Sequence, residues 1–192
     1  MKLKVMLVNE DRAQQAELMT VVEREGHTVV ARNDSTTGLL MQVQQTSPEL
    51  LIIETPVLNS ATLQGLSLLS QQAPLPVVVL TRNDSESLIY ESVQAGVSAY
   101  VVDEARYERI GPIMQAALAR FKAFQHLRSE LNKTKSTLAD RKVIDRAKGL
   151  LMKQRGYDES EAFHALRKLA MSKNKRLGEM AENIVSAADL LM

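Results

Sequence analysis

The feature that most constrains the fold of this chain is an alternation, in its first half, of short β-branched runs with amphipathic stretches. Five such runs occur: Leu3 to Val8, Thr28 to Ala31, Leu50 to Ile53, Val77 to Leu80 and Ala99 to Val102. Continuous apolar runs are typical of parallel strands that helices cover on both faces. Because single helices between such strands give right-handed crossovers, the alternation predicts an α/β doubly wound sheet of five parallel strands.

The stretches between these runs carry helix boundaries. An apolar face over residues 13–25 stops at Gly26, a residue suited to the left-handed position after a helix. Three further helices are expected, with N-caps at Asp34, Ser60 and Asp84. In sheets of this kind, ligands bind beyond the carboxyl ends of the strands.

Composition narrows the class of protein. The 192 residues include no cysteine, which excludes a disulfide framework, a zinc ribbon and a thiol nucleophile. The apolar runs are too short to cross a bilayer, and residues 1–20 lack the pattern of a signal sequence. We therefore expect a cytoplasmic protein without a membrane partner.

The net charge of +1 hides an asymmetry between the two parts of the chain. Residues 1–120 hold 9 basic and 14 acidic side chains, whereas residues 121–192 hold 15 basic and 9 acidic ones. Such a difference indicates two modules with different roles, of which the basic one is a candidate for binding a polyanion. A dipolar surface without functional meaning is the alternative.

Polar residues stand where four of the predicted strands end. They are Asn9, Glu10 and Asp11 after the first strand, Glu54 after the third, Thr81 after the fourth and Asp103 after the fifth, with Tyr100 inside the fifth. In this pattern residues 1–120 resemble a response-regulator receiver domain. The resemblance implies an acidic pair, a phosphoacceptor, a hydroxyl and a switch aromatic at the matching positions.

Two positions depart from the receiver pattern. The phosphoacceptor position holds Glu54, which is one methylene longer than aspartate, and the usual lysine is replaced by Asp103. An aspartyl phosphate needs a metal at fixed reach and a cation beside the developing charge. We therefore expect a degenerate pocket that is not phosphorylated, in which no motif residue neutralises the acids. Glu54 either mimics a phosphorylated aspartate or remains from a receiver domain that now serves only as a surface for docking another protein. The second interpretation is favoured, because a mimic needs the lysine that is absent here.

A long helix is expected from Pro112 onward, because no further proline occurs and no glycine follows until Gly149. Over residues 112–142 a weak heptad seam recurs, made of Phe124, Leu127, Leu131 and Leu138. This seam predicts a coiled-coil homodimer. The alternative is a helix that packs on its own domain.

Residues 141–192 predict a basic bundle of three short helices. The second helix has a capping box, Asp158 with Glu161, and an expected buried face that includes Phe163 and Leu169; the third begins near Ser172 or Asn174. Candidates for contacts to a nucleic-acid backbone are Arg141, Lys142, Arg146, Lys148, Gly149, Lys153, Arg155, Arg167, Lys168, Lys173, Lys175 and Arg176.

Glycine inside a helix costs roughly 1 kcal/mol relative to alanine, so something should approach closely at Gly149. The backbone of another helix is the commoner reason, and a nucleic-acid backbone is the other. Among aromatic side chains, Tyr157 is a candidate for base contacts, although packing after the turn is the simpler interpretation.

Two segments of this module resemble the ANTAR domain: Ile144 to Met152 with Gly156, and Glu161 to Met171 followed by Asn174 to Leu177. ANTAR domains are three-helix RNA-binding modules of transcription antiterminators. With its receiver-like half, the chain is similar to the NasT-like regulators of nitrate and nitrite assimilation. That resemblance implies binding to paired hairpins of a leader mRNA and inhibition by a nitrate-binding sensor protein.

Three other functions compete with this one. A DNA-binding response regulator would also be basic and helical, and a protein-interaction module would need no nucleic acid. An enzyme is the weakest option, because His27, His126 and His164 lie apart from the acidic residues at the strand ends. We expect no catalytic residues, no cofactor and no bound metal.

Overall fold

The computed structural model describes residues 2–102 and 107–189. The chain divides into two compact units, Met1–Gln125 and His126–Met192, each of which is described by itself. None of the helices in the described ranges is both long and apolar enough to cross a membrane.

The first unit alternates strands and helices. Its elements are β1 (Lys4–Asn9), α1 (Arg12–Arg24), β2 (Thr28–Asn33), α2 (Leu39–Thr46), β3 (Leu50–Glu54), α3 (Ser60–Gln72), β4 (Val77–Thr81), α4 (Glu86–Gln94) and β5 (Ala99–Val102). All strand pairs are parallel, in the order β2-β1-β3-β4-β5. The predicted doubly wound sheet of five parallel strands is confirmed.

Helices cover both faces of this sheet, so successive strand residues enter different cores. In β1, Val5 and Leu7 belong to one apolar cluster, which includes residues of α1, whereas Met6 and Val8 belong to the other, which includes residues of α2 and α3. Full burial of such a side chain stabilises the fold by about 1.5–3 kcal/mol. This two-sided burial explains why the strands read as continuous apolar runs.

The predicted helix caps are wrong, although the helices exist. Asn59 caps α3 in place of Ser60, and its side chain accepts a hydrogen bond from the backbone N–H of Thr62. The N-cap of α2 is Gly38 in the left-handed conformation, and that of α4 is Ser85. Each loop offers several polar residues in succession, so local preference did not decide which one caps.

One helix accounts for both the predicted linker and the first bundle helix. After a 3-10 turn (Tyr107–Arg109), α5 runs from Ile110 to Arg155 over 46 residues. Two further helices follow, α6 (Glu159–Ser172) and α7 (Leu177–Asp189). The capping box of α6 is present, with both hydrogen bonds between Asp158 and Glu161.

The start predicted for α7 is wrong, since the helix begins only at Leu177. Asn174 adopts a positive φ of 50°, which a continuing right-handed helix does not allow.

The second unit has a small core of buried apolar side chains, three of which are alanines: Ala147, Leu166, Ala170, Met180, Ala181 and Val185. The prediction that Phe163 and Leu169 join it is wrong, because they are 38% and 40% exposed. Ala162, Leu166 and Ala170 lie at intervals of four and are buried, so a narrow face of α6 suffices for this core.

Gly96 should be the least replaceable glycine of the first unit. Its φ is +100°, and an added Cβ would lie 2.7 Å from the Cβ of Ser70. We expect Gly96→Ala to lower the free energy of unfolding by more than about 2 kcal/mol, measured by urea denaturation. Gly26→Ala is the control, since Gly26 has a φ of +86° with nothing within 4 Å and should lose only about 1 kcal/mol. Equal losses for both variants would contradict the predicted contact.

Candidate functional site

Parallel register brings the predicted pocket residues of the first unit together. Asn9 pairs with Glu54, and Glu54 with Leu80, at the carboxyl edge of the sheet. A cavity of about 290 Å³ opens there, lined by residues that include Asn9, Glu10, Asp11, Glu54, Thr81 and Arg82. Asp103 lies outside the described residues.

Hydrogen bonds engage both carboxylate oxygens of Glu54. The Tyr107 hydroxyl donates to Oε1 at 2.9 Å and lies 3.0 Å from Oε2, and the Asn9 amide donates to Oε2 at 2.7 Å. Burial raises the pKa of Glu54 above its ordinary value, and the two donors oppose that rise. Burial and the carboxylate of Glu54 likewise raise the pKa of Tyr107.

Three of the other predicted side chains hold backbone segments by hydrogen bonds: Asp11 and Thr81, which line the cavity, and Tyr100, which does not. The Asp11 carboxylate caps α1, accepting hydrogen bonds from the N–H groups of Ala13 and Gln14. The Thr81 hydroxyl lies 3.4 Å from the Pro56 carbonyl oxygen, to which it donates. Tyr100 donates to the carbonyl of Asn83 at 2.9 Å, which fixes the loop between β4 and α4.

The described motif residues supply no cation to the pocket, but neutral donors, and one cation from outside the motif, stand beside its acids. Asn9 and Tyr107 donate to Glu54, and Arg82 lines the same cavity. Sequence reasoning missed both Tyr107 and Arg82. Tyr107 follows β5 at a spacing that the receiver pattern does not include, and Arg82 stands directly after Thr81 but is not a position of that pattern. Among the described residues there is no group of three side chains of the histidine, cysteine, aspartate or glutamate type that could hold a metal ion.

The predicted seam of α5 is exposed. Phe124, Leu127, Leu131 and Leu138 are between 54% and 66% accessible. Four large apolar side chains on one helix would be stabilised by a covering partner.

A cationic stripe lies on the last third of α5, formed by Lys142, Arg146, Gly149 and Lys153. All four residues are exposed, and their spacing places them along one line of the helix. Within the described ranges, Lys142 and Lys153 form no ion pair. The charges of these two lysines are therefore not offset by an ion pair within the described residues.

No described atom of the chain's other segments approaches Gly149, since a Cβ built there would meet nothing within 4 Å. The interpretation that another helix packs there is thus wrong for this chain. The close approach in the bundle occurs instead at Gly178 of α7, where a Cβ would lie 2.5 Å from a carboxylate oxygen of Asp140.

Lys148, unlike Lys142 and Lys153, forms ion pairs within the described residues. Its ammonium lies 2.8 Å from both Asp145 and Glu159, and its side chain is only 16% exposed. These hydrogen bonds lower the pKa of Asp145 and raise that of Lys148. Lys148 therefore joins α5 to the first turn of α6, and two acids offset its charge.

The remaining predicted cations are exposed: Arg141, Arg155, Arg167, Lys168, Lys173, Lys175 and Arg176. Of these, Lys175 is paired with Glu179 at 2.8 Å. The side chain of Tyr157 is 37% exposed.

Glu54→Gln should change the pH dependence of stability. The folded pKa of Glu54 lies above 4.5, so its contribution to the free energy of unfolding is greatest below pH 4.5 and falls as pH rises through the folded pKa. Glutamine does not titrate, so the variant's stability relative to the wild type should increase over that window in urea titrations. Tyr107→Phe removes a donor to the carboxylate and should move the fall to higher pH. A variant whose relative stability decreases with pH would contradict this prediction.

Comparisons with known proteins agree with both units. Residues 132–185 match the ANTAR domain. The transcriptional regulatory protein PdtaR of Mycobacterium tuberculosis is 24% identical over 182 residues, which cover 95% of this chain and 89% of that protein. The nitrate regulatory protein of Klebsiella oxytoca is 41% identical over 66 residues, 34% of this chain and 17% of that protein.

A solved structure resembles the first unit. The signal receiver domain of a modulated diguanylate cyclase from Desulfovibrio desulfuricans G20 gives a TM-score of 0.56 at 14% identity, covering 64% of this chain and 98% of that one. At this identity the likeness concerns the fold alone. The chain therefore combines a sheet of receiver-like fold with a segment, residues 132–185, that matches the ANTAR domain.

Proposed function

We propose that this protein is an RNA-binding transcription antiterminator that holds hairpins of a leader mRNA. The observation that carries the proposal is the exposed cationic stripe of Lys142, Arg146 and Lys153 around an open Gly149, inside a segment that matches the ANTAR domain. Cations along a helix provide contacts to phosphate oxygens, and an exposed glycine lets a backbone come close.

Binding energy alone is sufficient for this mechanism. A protein that binds one RNA structure and not its competitor shifts the equilibrium between them by mass action. Hairpin loops present unpaired bases and converging phosphates, which sequence-specific RNA-binding proteins favour over duplexes. If bound hairpins exclude a terminator, the polymerase continues, so no catalytic group is required.

Control by a sensor protein, and not by phosphorylation, is part of the proposal. The support for this is that the phosphoacceptor position holds Glu54, whose carboxylate accepts hydrogen bonds from Tyr107 and Asn9, while Oδ1 of Asp11 caps α1. The similarity to a nitrate regulatory protein supports nitrate or nitrite assimilation as the regulated process.

The protein is further proposed to act as a homodimer through the α5 seam defined by Phe124, Leu127, Leu131 and Leu138. Their exposure on one helix supports a coiled-coil partner. Two linked basic bundles would then engage two hairpins, which raises avidity without new contacts.

The central experiment selects RNA hairpins from a pool with randomised loops, using the full-length chain. We expect enrichment of a hairpin family, and tighter binding of a selected hairpin than of duplex DNA of the same sequence at one salt concentration in gel-shift assays. Lys142→Glu with Lys153→Glu should weaken hairpin binding at least about tenfold, because phosphate contacts are lost.

The matched control is Lys122→Glu with Lys133→Glu, which makes the same change of net charge on α5 away from the stripe. Equal losses of hairpin affinity for both double variants would show that binding depends on net charge and not on the stripe. Preference for duplex DNA, or failure to enrich any hairpin, would overturn the proposed function.

Gly149→Ala separates stability from RNA binding. Since nothing in the described chain lies within 4 Å of the added Cβ, the variant should gain about 1 kcal/mol of unfolding free energy from helix propensity. Its affinity for a selected hairpin should fall, because the methyl group blocks close approach of the RNA backbone. Gly65→Ala in α3 is the control: nothing lies near its Cβ either, so it should gain stability and keep the affinity. Unchanged affinity in Gly149→Ala would exclude close approach at this glycine.

A further inference from the structure

A second exposed surface of the ANTAR unit lies on α6 and is formed by Phe163, Arg167 and Met171. These residues are spaced by four, so they lie along one line of the helix. An adjacent line of the helix, about 100° around its axis, holds Ala162, Leu166 and Ala170, which are buried. We refer to the exposed line as the α6 platform.

The platform presents apolar groups to solvent. Phe163 is 38% exposed and Met171 is 72% exposed, although the same helix offers a buried face that takes only small side chains and one leucine. Exposed aromatic and thioether groups would be stabilised by a partner that removes them from water.

The charge around the platform indicates the chemistry of that partner. Residues 162–178 contain five basic side chains and no acidic one. Arg167 stands between Phe163 and Met171 on the platform itself, and Lys168 is its exposed neighbour. The Phe163 ring and the Arg167 guanidinium are planar groups on which nucleic-acid bases can stack. The basic side chains around them can contact the phosphates that join those bases.

We infer that the α6 platform stacks unpaired bases of the hairpin loop while the α5 stripe holds its phosphates. The inference rests on the proposed function and adds to it the surface that recognises bases. Unstacked RNA bases lie on aromatic side chains and on guanidinium planes in sequence-specific complexes, and replacing the ring by an aliphatic group weakens such stacking. The alternative occupant is a second copy of this chain.

The test uses a selected hairpin with 2-aminopurine in its loop, whose fluorescence is quenched when the base stacks. Phe163→Leu keeps an apolar side chain but removes the ring, and we expect affinity to fall about tenfold with a different emission of the bound state. Met171→Ala, at a largely exposed position, should weaken binding less. Lys142→Ala should weaken binding but leave the emission of the saturated complex unchanged.

Tyr90→Leu and Met41→Ala are the controls, since both residues are exposed in the first unit and should leave RNA binding unchanged. Thermal unfolding of each variant separates a loss of fold from a loss of contact. If Phe163→Leu binds the hairpin with wild-type affinity and emission, the inference is overturned while the proposed function stands. A change of sedimentation without a change of RNA binding would assign the platform to a second copy. Absence of any selected hairpin for the wild type would instead remove the proposed function itself.

Discussion

Burial of the three central strands, β1, β3 and β4, on both faces is the constraint on which the first unit depends. It requires helices on each side of the sheet, and it aligns the carboxyl ends of neighbouring strands at one edge. Asn9 and Glu54 meet there because their strands pair in register. The geometry of the pocket therefore follows from the strand order, and the side chains at that edge decide only what the pocket can bind.

In this pocket, hydrogen bonds from within the chain engage the carboxylate at the phosphoacceptor position. Tyr107 and Asn9 supply neutral donors to the Glu54 carboxylate. These two hydrogen bonds lower the pKa of Glu54, but burial raises it by more, so the net shift is upward. Neither donor carries the positive charge that would stabilise a phosphoryl group. The hydrogen-bond donors to Glu54 are thus neutral, whereas the one cation among the described residues that line the cavity is Arg82.

The second unit has a small core rich in alanine and leaves two large apolar side chains of α6 exposed. Ala147, Leu166 and Ala181 are fully buried, while Phe163 and Met171 are exposed on α6. Lys148 contributes to the bundle by bridging Asp145 and Glu159, so a cationic residue type alone does not identify a ligand contact. The same holds for glycine: Gly178 serves close packing, whereas Gly149 faces open space.

The sequence by itself determined the five parallel strands, the long helix and the capping box of α6, because these follow from apolar periodicity and from interactions within a few residues. The basic segment that matches the ANTAR domain was equally readable from the chain. Only the tertiary structure decided that Tyr107 reaches Glu54 across 53 positions, that Lys148 is paired, and that Phe163 lies outside the core. Contacts between distant residues depend on how the helices pack, and patterns of neighbouring residues do not determine that packing.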